Sequence, residues 1–242
     1  MFEDKVDRPS LLSLEDLITL RFETSEALGD WREIPDLRKA GGYIAEASSA
    51  WVRYRDSTVY KRILPLLPPI KGEYSDWDVI YCWNASALSA LGQYDEGYAV
   101  IEEGLSRCKR TVALLCTLGD IKSDQNRIEG FGWWMQACML GTSNWSPYLK
   151  LSVAADEVGR RDLSLRLVAA TDLLVSGMPR FDADIDARLR DLARSDIHRM
   201  QTALGTFSAY MDPFLPSPTS LQTSEIGARI KARMRLLQRK PE

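Results

Sequence analysis

The chain holds a single histidine, His198, and four cysteines among its 242 residues. One imidazole excludes every metal site that needs two or more, H-E-x-x-H included. Cys82, Cys108, Cys116 and Cys138 form no C-x-x-C pair. Scattered thiols of this kind read as small core residues kept reduced, which places the expected setting in the cytoplasm. No run approaches the roughly 18–20 apolar residues that span a bilayer. The opening MFEDKVDRPS has no apolar stretch, so no secretory leader is expected. The phosphate loop G-x-x-x-x-G-K-[ST], the dinucleotide fingerprint G-x-G-x-x-G and the nucleophile elbow G-x-S-x-G do not occur. Gly130-Phe131-Gly132 lacks the preceding strand and the further glycine that would give it meaning. No segment sustains two-residue alternation of β-branched side chains, so no sheet is expected. Carboxylates are abundant, but nothing selects an acid/base pair among them, and His198 reads as a surface residue on a charged helix. The expectation is a protein that is not an enzyme and carries no cofactor and no metal.

What is present is an ordinary folded composition, 45% hydrophobic and 27% charged, with a net charge of −3. The charge is unevenly placed. Residues 221–242 hold Arg229, Lys231, Arg233, Arg235, Arg239 and Lys240 against Glu225 and Glu242, a net of +4, so the other 220 residues carry −7. One basic helix without interleaved aromatics gives only non-specific attraction to nucleic acid. Neither a specific nucleic-acid partner nor a membrane is expected.

Helical spacing dominates the chain. A loose capping pattern at Ser13 and Asp16 opens a helix to about Leu28. Pro35 suits a first helical turn, and Gly41-Gly42 should then interrupt, so residues 1–42 read as an irregular N-terminal helix pair. Helices are expected over 43–54 and 59–64, the second ended or kinked by Pro65 and stopped by Pro68-Pro69. Residues 70–77 read as a surface loop. Three further pairs follow: 78–91 with 94–107, 112–123 with 128–140, and 148–158 with 163–175. From Asp182 one longer capping helix runs to about Leu204, with Ile185, Leu189, Leu192, Met200 and Leu204 as its apolar stripe and Asp186/Arg190 as an i,i+4 pair. Residues 181–212 form this cap. Pro213, Pro216 and Pro218 mark an extended linker, and a basic amphipathic helix ends the chain, residues 213–242 together.

The stretch Tyr81…Ala85…Leu88…Gly92-Gln93-Tyr94-Asp95-Glu96-Gly97…Ile101…Gly104-Leu105 resembles a tetratricopeptide repeat. Leu115, Leu118-Gly119, Asn126 and Cys138 match in the next unit, and Ala155, Gly159, Asp162 and Ser164 in the one after. Residues 43–69 fit as a degenerate earlier unit. The resemblance implies an all-α, right-handed superhelical stack of helix-turn-helix repeats, an α-solenoid of about four pairs over residues 43–180. Gly97 and Gly104 stand where alanine is usual, which implies very close contact or a compliant helix. Phe131 stands where a small residue is expected, which implies a splayed unit or a shifted neighbour. Trp133 and Trp134 should both pack largely into the core.

In this family the first helix of each pair lines a concave groove that holds a partner segment. Carried over by register, that puts Cys82, Ser86, Ser89 and Ala90 on the groove, then Cys116, Asp120, Ser123 and Asp124, then Leu149, Val153, Asp156 and Glu157. Asp120, Asp124, Asp156 and Glu157 would converge at one end and suit a basic or amide-rich protein or peptide. Binders of acidic peptide termini use Lys and Asn in the groove; Asn84 alone hints at that here. The expected function is a protein-protein interaction module: an adaptor, assembly factor or chaperone. The alternative is a self-associating structural or regulatory subunit that forms homo-oligomers through its stack edge or its basic C-terminal helix.

Overall fold

The computed structural model describes residues 31–54, 56–108, 111–174 and 183–217. Among them every regular element is helical: α1 Pro35–Tyr54, α2 Thr58–Ile63, α3 Leu67–Glu73, α4 Asp78–Ala90, α5 Tyr94–Arg107, α6 Val112–Asp124, α7 Glu129–Met139, α8 Trp145–Glu157, α9 Arg161–Leu174, α10 Ala183–Ser195 and α11 Ile197–Met211. No helix of the described residues is long and apolar enough to cross a membrane. The chain divides into two compact units, Met1–Leu140 and Gly141–Glu242.

In the first unit α4 pairs with α5 and α6 with α7, while α6 also packs on both α4 and α5. The α1–α3 segment covers the other side of α4. Nine of the 13 residues of α4 are buried (Asp78, Ile80, Tyr81, Cys82, Asn84, Ala85, Ala87, Leu88 and Ser89), so the helix is enclosed around most of its circumference. In the second unit α8 pairs with α9 and receives α10 and α11.

The repeat is written in the helix ends. α4, α6 and α8 are each 13 residues long. Each stops two residues before a left-handed position: Gly92 (φ 77°), Asn126 (φ 57°) and Gly159 (φ 81°). From 92 to 126 and from 126 to 159 the intervals are 34 and 33 residues. At each end the amide one residue further on bonds back five positions: Gln93 to the Leu88 carbonyl (2.9 Å), Arg127 to Lys122 (2.9 Å) and Arg160 to Ala155 (2.8 Å). This is the Schellman closure, which glycine adopts without strain and asparagine tolerates.

Close approach explains several of the helical glycines. A Cβ at Gly104 would lie 2.9 Å from Tyr81 Cγ and 3.0 Å from Leu114 Cδ2, so α5 meets α4 and α6 at van der Waals limits there. In the next pair the tight crossing moves one residue earlier than the repeat pattern implies. A Cβ at Gly130 would lie 2.8 Å from the Gly119 carbonyl, while Phe131 turns inward and packs edge-on against Trp134, ring centroids 5.5 Å apart. Phe131 is accommodated by this one-residue shift. Trp134 is fully buried, and Trp133 is half-buried against the core.

Several local expectations need correction. Gly41-Gly42 does not interrupt; α1 runs through it because Leu37, Ala40, Ile44 and Ala47 form a buried stripe and Trp31 closes over Gly41, where a Cβ would lie 2.7 Å from the ring. Pro65 does end α2, in a 3₁₀ turn over Leu64–Leu66. Pro68-Pro69 does not stop the chain from being helical; both prolines fall in the first turn of α3, where a missing N–H costs nothing, so much of the expected loop at 70–77 is helix. The single cap helix is two helices. Asp196 leaves helical geometry (φ −145°, ψ 70°) and its side chain accepts from the Arg199 amide at 3.2 Å, which starts α11. α11 then continues to Met211, past the expected end. The helix expected before Leu28 and the basic segment 221–242 lie outside the described residues.

Candidate functional site

In the first unit the residues assigned to a groove occupy neighbouring faces of α4 and α6. Positions 82, 86 and 89 follow one side of α4, and 116, 120 and 123–124 one side of α6. Ser89 Oγ donates to Asp124 Oδ2 at 3.3 Å and so joins the C-terminal ends of the two helices. Ser86 and Ala90 are half-buried, Asp124 is exposed, and Ala113 is exposed at the start of α6. Cys82, Cys116 and Ser89 are instead buried. Burial pushes the Cys82 thiol well above its ordinary value, against a weaker opposing hydrogen bond with Thr117. Asn84 of α4 is buried as well.

Asp120 is half-buried and positioned from behind. Its Oδ1 accepts from the Trp134 indole N–H at 2.9 Å. Ser123 is buried and donates to the Asp120 carbonyl at 2.9 Å. The indole reaches this carboxylate because Gly119 leaves room: a Cβ there would sit 2.4 Å from Trp134 Nε1. Nothing in the local sequence marks this bond. The two residues are 14 apart, on different helices.

The acids of the second unit have partners of a different kind. Expected on an open groove, Asp156 and Glu157 at the end of α8 instead face the chain's own α10. Arg190 Nη1 lies 3.3 Å from Asp156 Oδ2 and 3.2 Å from Glu157 Oε2, and its Nε lies 3.3 Å from Asp186 Oδ2. Arg194 Nε donates to Glu157 Oε1. The physical reason is helical spacing: Arg190 and Arg194 stand one turn apart on α10 and meet adjacent acids together. The Arg194 hydrogen bond, with that of Arg190, holds the Glu157 carboxyl below its usual value of 4.5 despite partial burial. Burial works against the Arg190 guanidinium, but the charge of Asp186 and the bonds to Glu157 and Asp156 raise it overall. Val153 and Leu149 are buried in the α8 core and present no surface. The i,i+4 pair Asp186/Arg190 is present as the sequence implies.

The four carboxylates thus fall two to a unit: Asp120 and Asp124 in the first, Asp156 and Glu157 in the second, each with its own bonds. His198 is exposed on α11. All four cysteines are buried and free of disulfides. Among the described residues no group of three or more His, Cys, Asp or Glu side chains could hold a metal ion. A feature that the sequence did not flag is Arg166 on α9, buried and bonded to the segment after α11. Comparison with family models, curated proteins and solved structures finds no match for this chain.

Proposed function

We propose that this protein is a non-enzymatic helical-repeat scaffold of the tetratricopeptide type, which holds a basic or amide-rich segment of a partner protein on the α4–α6 strip. The observation that carries the reading is the chemistry of that strip: small side chains at half-buried Ser86 and Ala90 and at exposed Ala113, with the Asp120 and Asp124 carboxylates along one edge. Small residues leave room for a peptide backbone to approach. Charge-assisted bonds from Lys or Arg to carboxylates are about twice as strong as neutral ones. The indole bond also fixes the Asp120 rotamer before binding, which lowers the ordering cost. Asp156 and Glu157 have no part in this reading, because α10 already supplies their arginines.

The test is titration of the protein with a peptide library in which Lys or Arg, Gln and Glu are exchanged at each position. Basic members are expected to bind most tightly. Asp124→Lys, a change at an exposed position, is expected to weaken that binding by about tenfold or more, about 1.4 kcal/mol. Equal affinity for Asp124→Lys and the parent, or a preference for acidic peptides, overturns the assignment.

A further inference from the structure

Arg166 stands in the middle of α9, and its side chain is 6% exposed. It reaches 46–50 residues down the chain. Nε–H donates to the Pro216 carbonyl (2.8 Å), Nη1 to Asp212 Oδ1 (2.6 Å), and Nη2 to the carbonyls of Asp212 (2.7 Å) and Leu215 (3.2 Å). Sequence reading makes this stretch the start of an extended linker. It is instead a turn folded back on α9, with the Phe214 and Leu215 amides both bonded to the Met211 carbonyl at 2.9 and 3.0 Å. Leu215 is buried, whereas Asp212, Pro213, Phe214 and Ser217 are exposed.

We propose that the Arg166 clasp is a latch: residues 212–217 open from α9 and close on it as one piece while the helices beneath stay folded. Four of the hydrogen bonds that hold the turn converge on a single guanidinium, so those four are made and lost together. Arginine cannot shed its proton to tolerate partial burial. A half-open arrangement would leave a buried cation short of acceptors, which is the costly state. That leaves two arrangements, fully clasped or fully solvated. The exposed Asp212 carboxylate gives water direct access to one of the four bonds. What the latch governs is the point of departure of residues 218–242, whose sequence carries a net charge of +4. Clasped, Pro216 is held against α9; released, residues 212–217 are tethered only at Met211, the end of α11. The inference is independent of the α4–α6 strip.

Native-state hydrogen exchange on the full chain at graded urea tests it, with the Phe214 and Leu215 amides compared against those of Leu167 and Val168 in α9. The Phe214 and Leu215 amides are expected to exchange through an opening about 100-fold more frequent than that of the α9 pair and nearly independent of urea, the mark of local opening. Arg166→Gln is expected to speed Phe214 and Leu215 by about tenfold or more without changing α8 or α9, with Arg166→Lys, which keeps charge but loses the fork, in between. If Phe214 and Leu215 follow Leu167 and Val168 with the same urea slope, or ignore Arg166→Gln, the latch is refuted. Should Arg166→Gln fail to fold, the urea dependence of the parent protein still decides.

Discussion

Gly119→Ala and Gly42→Ala are the same chemical change, a methyl group added to a helical glycine, and the structure assigns them opposite signs. In a helix alanine is favoured over glycine by about 1 kcal/mol. Gly42 is exposed on α1, and a Cβ there meets nothing within 4 Å. Gly42→Ala should therefore stabilise the first unit by about 0.5–1 kcal/mol. At Gly119 the new Cβ would sit 2.4 Å from both Cδ1 and Nε1 of Trp134. Ordinary contact begins near 3.4 Å, so ring or helix must give by about 1 Å. The ring has little freedom, because it is fully buried, stacked edge-on against Phe131 and hydrogen-bonded to Asp120. Overpacking costs about 1–3 kcal/mol, and the loss of a buried hydrogen bond to a carboxylate costs about 1.5–3 kcal/mol. After the propensity gain, Gly119→Ala should destabilise by about 1.5–5 kcal/mol. Urea unfolding followed by far-ultraviolet circular dichroism and tryptophan fluorescence measures both variants. The cost should shrink in a Trp134→Leu background, where the clashing ring is gone. A Gly119→Ala protein as stable as Gly42→Ala, or a cost unchanged by Trp134→Leu, would refute the close-crossing argument.

Two further outcomes follow from titrating groups. Glu157 has a folded value depressed below 4.5 by Arg194 and Arg190, so in acid the unfolded chain binds more protons; the ion-pair stabilisation is complete above the usual glutamate range and is lost as pH falls through the lowered folded value. Melting temperatures from pH 7 to 3 should fall less steeply for Glu157→Gln than for the parent, by an amount within the ~1 kcal/mol of partly exposed ion pairs; parallel curves would contradict this. All four cysteines are buried, and burial raises the Cys82 thiol and pushes Cys108 up to about 12; at pH 8 the shielded thiols should resist a thiol reagent until denaturant is added. Rapid labelling of the native protein would show that the packing is looser than described.

The sequence signals that survived into the structure are local ones. The turns at Gly92, Asn126 and Gly159 could be read directly, because a left-handed residue at a helix end is a property of a few adjacent positions. The helices around them follow within two or three residues. Failures arose where a distant contact overruled a local rule. Gly41-Gly42 looks like a break until Trp31 is seen to cover it. Pro68-Pro69 looks like a stop, but a first helical turn accepts proline, and the sequence alone did not place the turn. At Asp196 an ordinary N-cap lies inside what reads as a continuous apolar stripe. The site fared likewise: Ser89 and Asp124 were placed on one face by repeat register, whereas the Trp134–Asp120 bond and the arginines on Glu157 join residues 14 to 37 apart. Arg166 carries no sequence mark at all, since its acceptors are mostly main-chain carbonyls that any residue supplies.

The three Schellman closures have one more implication. Each is built from main-chain groups and asks for one permissive residue, while the side chains between closures are left to satisfy only burial. Mutation can then rewrite most of a helix without displacing where it stops, so copies that diverge almost beyond recognition still halt in step. Such a chain would tolerate insertion far better just past a closure than inside a 13-residue helix, where one added residue rotates every later side chain by about 100° about the axis.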